Sequence, residues 1–249
     1  MTTQTIENKS TTSRFLELKR TRDTEWANIL EQAKWAHFIL HDTFDARFYG
    51  IYLIETYHYV MHNPKHQALV GAHMKEKVFK YIKFCFEHAE EETGHEMMAL
   101  HDLLSLGLAK DSFRMPEPHP DTEVFIAYLY WISTNGNYLQ RLGYSFWAED
   151  SYQYIRALME RVQTTLNLQK SQMTFLVSHA TIDEKHAEEI DEMINEFCKT
   201  DDDWQAVEKV LKTSLSLQSK MLDSVLEEYL NLKNGGESRY HFLNSLVGA

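Results

Sequence analysis

Glycine and proline are scarce, nine and four in 249 residues, under half the typical share of roughly 12%. Sandwiches and barrels turn about every ten residues and draw on those two residues to do so. Their scarcity excludes a mostly β chain and favours long helices. The two cysteines, Cys85 and Cys198, are too few for a disulfide framework. Basic residues are outnumbered, 25 Lys plus Arg against 37 Asp plus Glu, for a net charge of −12. Such a surface repels phosphate backbones, which argues against a nucleic-acid partner and leaves solubility as the plain reading of the acidity. No apolar run approaches the roughly 20 residues of a membrane span. A hydrophobic content of 43% is too high for a disordered chain. The N-terminus, MTTQTIENKSTTSRF, has no apolar stretch to act as a signal peptide. The expectation is an all-α, soluble, cytoplasmic protein that uses neither membrane nor nucleic acid.

What is present is helical periodicity. Residues 1–13 read as a flexible polar arm, and residues 14–249 as a single domain without a linker or an internal repeat. Trp26, Ile29, Leu30, Ala33, Ala36 and Leu40 place a helix within 22–46. The run FYGIYLIETYHYVMH stops at Asn63-Pro64, and residues 66–106 predict one long helix, open to a break near Gly71 and closed by Gly107. Three of the four prolines, Pro116, Pro118 and Pro120, mark a loop. Further helices are predicted over 122–161, interrupted at Asn135-Gly136-Asn137, over 163–198, and over 203–232 after the N-cap candidates Asp201 to Asp203.

Thirteen histidines are many for this length. His179, Asp183 and His186 stand at i, i+4 and i+7, within roughly 60° of one another on a helix. An exposed polar face is the competing reading, supported by Glu184, Lys185, Glu188 and Glu189. Phe175, Leu176, Ile182, Ile190 and Met193, however, put the buried side close to that stripe. In HAEEETGHEMMALHDL, Glu92 and His95 have the Glu-x-x-His spacing with which bundles offer a carboxylate and an imidazole to iron or manganese. His88 and Glu91 compete for the same assignment, and His101 and Asp102 read as supporting or capping groups. Glu55 and Glu149 each sit within aromatic runs, where an unpaired carboxylate is costly. A metal or a hydrogen bond to Tyr or His would each meet that cost. Together Glu55, Glu92, His95, Glu149, His179, Asp183 and His186 give four carboxylates and three imidazoles on four helices. This mixed N/O set suits a pair of iron or manganese ions. Structural zinc would ask for thiolates or a tight tetrahedral four, and calcium would not recruit histidines. A dinuclear iron site is the best reading.

At these residues the chain resembles the haem-oxygenase-like dinuclear iron oxidases. The resemblance covers about residues 45–200, in Glu55, HAEEETGH with HDLLSLG, GYSFWAED, and HATIDEKH with its His-x-x-x-Asp-x-x-His form. It implies a haem-oxygenase-like up-and-down helical bundle, shared with the TenA thiaminases. The ligand and catalytic roles fall on Glu55, Glu92, His95, Glu149, His179, Asp183 and His186. The cofactor implied is Fe(II), two per chain, with O2 as co-substrate. Such enzymes act on small amino-acid-like or fatty-acid-like molecules by N-oxygenation, desaturation or oxidative C–C cleavage, often in specialised-metabolite biosynthesis. The resemblance further implies a homodimer and leaves room for an external electron donor. Tyr57, His58, Tyr144 and Phe175 lie near ligand positions and are candidate pocket walls. Arg141 and Lys185 are candidate contacts for a substrate carboxylate, with a solvent-exposed charge as the alternative.

Four rivals remain. A ferritin-like carboxylate iron protein would make His179 surplus and would use Glu where Asp183 stands. A metal-free TenA-like hydrolase lacks its nucleophile, since no cysteine lies between Cys85 and Cys198. A haem oxygenase would need His37 or His41 as proximal ligand and a glycine-rich distal helix. A helical interaction module with merely solvated acidic stripes is the non-enzyme alternative.

Overall fold

The structure is a computed structural model. It describes residues 2–75, 78–111 and 113–247; the side chains of 2–10 and 178–184 lie outside the described residues. These residues fold into eleven α-helices, and among the described residues there is no strand. Helix α1 (Thr2–Gln32) includes, as helical backbone, most of the segment expected as an arm. It is parted from α2 (Lys34–His41) by one extended residue, Ala33, at φ −71° and ψ 130°. The sequence offers no glycine or proline for this break, and tertiary anchoring supplies it. The Trp35 backbone N–H donates to Asp223 at 3.2 Å and its indole N–H to Ser219 at 3.1 Å, turning α2 onto the last helix.

Helix α3 (Ala46–Val60) starts at Asp45, whose side chain accepts from the Arg47 amide. Pro64 then opens α4 (Asn63–His73), where its fixed φ and missing N–H cost nothing. The long helix predicted over 66–106 is instead α4, α5 (Phe79–Glu91) and α6 (Glu96–Ser105). Gly71 does not break α4. A Cβ there would lie 3.1 Å from that of Cys85, so its bareness lets α4 pack against α5. The 122–161 segment forms α7 (Pro120–Thr134), α8 (Leu142–Ala148) and α9 (Tyr152–Leu166). It is followed by α10 (Thr174–Phe197) and α11 (Asp201–Lys233), the latter begun by a capping box between Thr200 and Asp203.

Helix α11 is the spine, in contact with α1, α2, α3, α7 and α8. The α8 crossing is tight: a Cβ on Gly143 would fall 2.1 Å from the Val207 carbonyl oxygen, so only glycine fits. Helix α10 crosses α6, α8 and α9 and brings its middle over the α5–α6 junction. Its start is fixed by Asp102, fully buried, which accepts from the Thr174 amide and hydroxyl at 2.9 and 2.7 Å and from the Phe175 amide at 2.9 Å. The C-terminal segment docks on α3 through the buried Leu243, which packs on Gly50, while Phe242 stacks on Phe113 at 4.6 Å. No described helix is long and apolar enough to cross a membrane.

Candidate metal centre

Two chain breaks and the middle of one long helix build the site. Glu92 is the C-cap of α5 and His95 the N-cap of α6, so their i, i+3 pair belongs to a turn, not to one continuous helix as the spacing suggested. Gly94, at φ +96°, makes that turn. Glu149 is the C-cap of α8, and His186 comes from the middle of α10. Four side chains from separate elements thereby converge. His95 Nδ1 lies 3.4 Å from Glu92 Oε1, His186 Nδ1 lies 3.9 Å from the same oxygen, and His186 Nδ1 lies 3.4 Å from Glu149 Oε2.

The structure adds His88, weighed above only as a competitor. It is buried on α5 with Nε2 3.4 Å from Glu149 Oε1, its ring 5.0 Å from that of His186. Glu91, the other competitor, lies at the rim with Oε2 3.1 Å from His186 Nε2. Its second oxygen accepts from Lys185 at 2.9 Å. Lys185 is therefore an exposed clamp on Glu91. The donor atoms of His88, Glu91 and His186, and those of His88, Glu92 and Glu149, each gather within 4.8 Å.

Glu55 stands apart. It is fully buried, but its oxygens are taken by the Tyr240 hydroxyl at 2.6 Å, the Thr122 hydroxyl at 2.5 Å and the His119 amide at 3.0 Å. Those donors meet the cost of burial without a metal, and the structure places Glu55 in this network and not among the converging side chains. The side chains of His179 and Asp183, two turns and one turn before His186 on α10, lie outside the described residues.

A support layer was not legible as such. Asn63, read only as a helix stop, donates to Glu92 Oε2 at 3.2 Å and accepts from the Tyr144 hydroxyl at 3.0 Å. This leaves Glu92 Oε1 to the histidines. Arg141 is buried and engaged within the protein: its Nε donates to His66 Nδ1 at 3.0 Å and its Nη1 to Ser145 at 2.8 Å. Burial and the Arg141 charge push His66 well below the usual histidine range. His58, expected near the pocket, instead bonds to the Pro116 carbonyl at 2.8 Å. Tyr144 and Phe175 do line a cavity of about 100 Å³ that reaches Glu92 and Glu149; Tyr57 does not.

The electrostatics are those of a cation site holding protons. Burial would raise the Glu149 carboxyl, yet hydrogen bonds with His186 and His88 outweigh it and hold it well below the carboxylate range. Burial likewise opposes ionisation of Glu92, and His95 overcomes it. His186 is pushed up to about 9 by its hydrogen bond to Glu149, against its own desolvation, and His95 is raised by Glu92. Protonated imidazoles thus supply the positive charge that adjacent buried carboxylates demand. A divalent cation would supply the same charge and release those protons. The fit to iron has a second mark: the buried Nδ1 of His88 makes no hydrogen bond, although buried polar atoms ordinarily do. Imidazole and carboxylate together are a donor set iron accepts. His88, Glu91, Glu92, His95, Glu149 and His186 are the described residues that could hold it.

Both cysteines are buried, and burial pushes each thiol up to about 12, so neither is poised as a nucleophile. His37 and His41 are exposed on α2.

Comparison with solved structures places the fold. A protein of Shewanella denitrificans OS217, described as a domain of unknown function with a haem oxygenase-like fold, is 45% identical. It superposes with a TM-score of 0.87 over 90% of this chain and 97% of its own. A TenA homologue from P. horikoshii OT3 gives a TM-score of 0.68 at 12% identity, over 85% of this chain and 97% of its own. A TenA homologue from Pyrococcus furiosus gives 0.63 at 15%, over 84% and 98%. No curated protein matches the chain. The class is therefore all-α with the haem-oxygenase-like fold. Residues 51–218 match the model of one family, and the chain belongs to it: the iron-containing redox enzymes.

Proposed function

We propose that the chain is a non-haem dinuclear iron oxidase or oxygenase that activates O2 to oxidise a small amino-acid-like or fatty-acid-like substrate. The observation that carries this reading is the convergence of His88, His186, Glu92 and Glu149, with the buried Nδ1 of His88 making no hydrogen bond. Two donor triads overlap at His88, which could serve either of two neighbouring metal positions, while the carboxylates, each with two oxygens, could serve both. Bound iron would supply the electrons and the open coordination positions for O2 chemistry.

The chain's own part is positioning and exclusion. Asn63, held by Tyr144, fixes the Glu92 carboxylate through one oxygen and leaves the other to face His95 and His186. His88 and His186 flank Glu149 from two helices, so that carboxylate cannot turn away from the centre. Lys185 holds Glu91 at the rim, where it is the most exposed of the carboxylates and the freest to change its contacts. Tyr52, Tyr59, Trp147 and Phe175 wall the adjoining cavity and keep water from the reacting atoms. Reducing equivalents would come from an external donor.

The test is anaerobic Fe(II) titration of the full chain with metal analysis, then rapid mixing with O2. About two irons per chain and a transient visible band are expected. No uptake contradicts the proposal.

A further inference from the structure

Two cavities adjoin behind the carboxylates. The first, about 100 Å³, is the one that reaches Glu92 and Glu149. The second, also about 100 Å³, lies between α1, α2, α3, α9, α10 and α11 and is walled by side chains such as Trp35, Phe48, Leu158, Leu215 and Leu222. Tyr52, Ser151, Ile155, Met159, Leu176 and Gln218 belong to the walls of both, so a molecule seated in the second would present its end to the first.

The second cavity has a chemistry of its own. Among the described residues that line it, none is Asp, Glu, Lys, Arg or His. A charged group there would be stranded in a low-dielectric wall, at a cost far above that of a neutral one. Two polar atoms on its lining residues nevertheless make no hydrogen bond: the Gln218 carboxamide oxygen and the Trp26 indole N–H, both buried. One asks for a donor and the other for an acceptor, and a hydroxyl or an amide is both. The size limits the ligand as well. An apolar cavity of roughly 150 Å³ accepts benzene; this one, at about 100 Å³, takes about four carbon atoms by itself and about six where the ligand reaches into the adjoining cavity, and not a long acyl chain.

We infer that the second cavity is the subsite for the substrate body, and that this body is uncharged, apolar, of about four to six carbons with its end in the first cavity, and carries a hydroxyl or amide read by Gln218 and Trp26. The inference rests on the proposed function for what happens at the far end, where Glu92 and Glu149 stand, but not for the binding itself. It narrows the substrate: any carboxylate or ammonium group must lie outside this cavity.

The test is calorimetric titration of the full chain, with and without anaerobic Fe(II), using benzyl alcohol, hexan-1-ol, hexanoate and hexylamine as probes. Benzyl alcohol and hexan-1-ol should bind, with hexanoate and hexylamine at least tenfold weaker. Gln218→Leu should weaken benzyl alcohol about tenfold while sparing toluene. Leu222→Trp and, as a milder filling, Ile155→Phe should weaken both uncharged probes, with the helical spectrum and iron uptake of each variant as controls. Equal binding of hexanoate, binding untouched by both filling variants, or no binding of either alcohol would overturn the inference. The two readings fail separately. A chain that binds the alcohols but takes up no iron contradicts the oxidase and leaves the subsite standing. One that takes up iron but no alcohol contradicts the subsite alone.

Discussion

The hydroxyl of Tyr240 donates a 2.6 Å hydrogen bond to Glu55, a carboxylate 185 positions earlier in the chain and fully buried on α3. Thr122 and the His119 amide complete the set, so this carboxylate ties α3, the start of α7 and the C-terminal segment together. Glu55→Gln should leave iron uptake at the level of the unaltered chain while lowering stability by about 1–3 kcal/mol. Tyr240→Phe should do the same. Metal analysis beside thermal melts checks both, and loss of iron in Glu55→Gln would return it to the ligand list.

His88 is expected to matter where the spacing argument preferred its neighbours. His88→Ala removes the residue common to both donor triads, and iron affinity should fall at least a hundredfold with the helical CD spectrum kept. His101, exposed and bonded to the Ser171 carbonyl at 3.2 Å, is the control. His101→Ala should bind iron normally.

Asn63 acts through Glu92. Asn63→Leu removes the donor that fixes Glu92 Oε2 and strands the Tyr144 hydroxyl. Changes in such supporting hydrogen bonds cost metal affinity about 10–100-fold. Iron titration should show that loss, with Asn63→Gln recovering part of it.

In the metal-free chain, stability should depend on pH through the His186–Glu149 pair. His186 is held at about 9 against an ordinary 6.5, so its contribution is complete below 6.5 and disappears as pH rises through about 9. Glu149 is depressed below its ordinary 4.5, so its contribution is present above 4.5 and is lost as pH falls further. The pair therefore stabilises most between 4.5 and 6.5. Iron replaces the protons, so melts of the loaded chain should lose the decline between 6.5 and 9.

Gly143 sets how closely α8 approaches α11. Gly143→Ala must displace backbone, a strain of about 1–3 kcal/mol or more. Because Glu149 ends α8, iron affinity should fall together with the melting temperature.

The periodic apolar pattern made the helical class legible, and the Asp201–Asp203 run and Asn234-Gly235 stop marked α11 to within two residues, although the cap is Thr200 and the three aspartates form the first turn. The break at Ala33 was not legible because Trp35 makes it through partners on α11, nearly two hundred residues away. Gly71 misled because the same bareness that ends helices also lets two helices touch. At the site, Glu92, His95, Glu149 and His186 were recognisable as burial-prone polar residues at ligand spacing. Glu55 met the same criterion, and only its partners distinguish it. His88 was visible but unranked, because choosing among His88, Glu91 and Glu92 depends on where α5 ends. That end is set by the Thr93-Gly94 turn and not by periodicity.

The most direct measurement is anaerobic Fe(II) titration of the unaltered chain beside Glu149→Ala and His186→Ala, with iron per chain determined after removal of free metal. The account predicts about two irons in the unaltered chain and a loss of at least one in each variant, with helical CD spectra unchanged. Iron bound undiminished by both variants, or no iron in the unaltered chain, would contradict it.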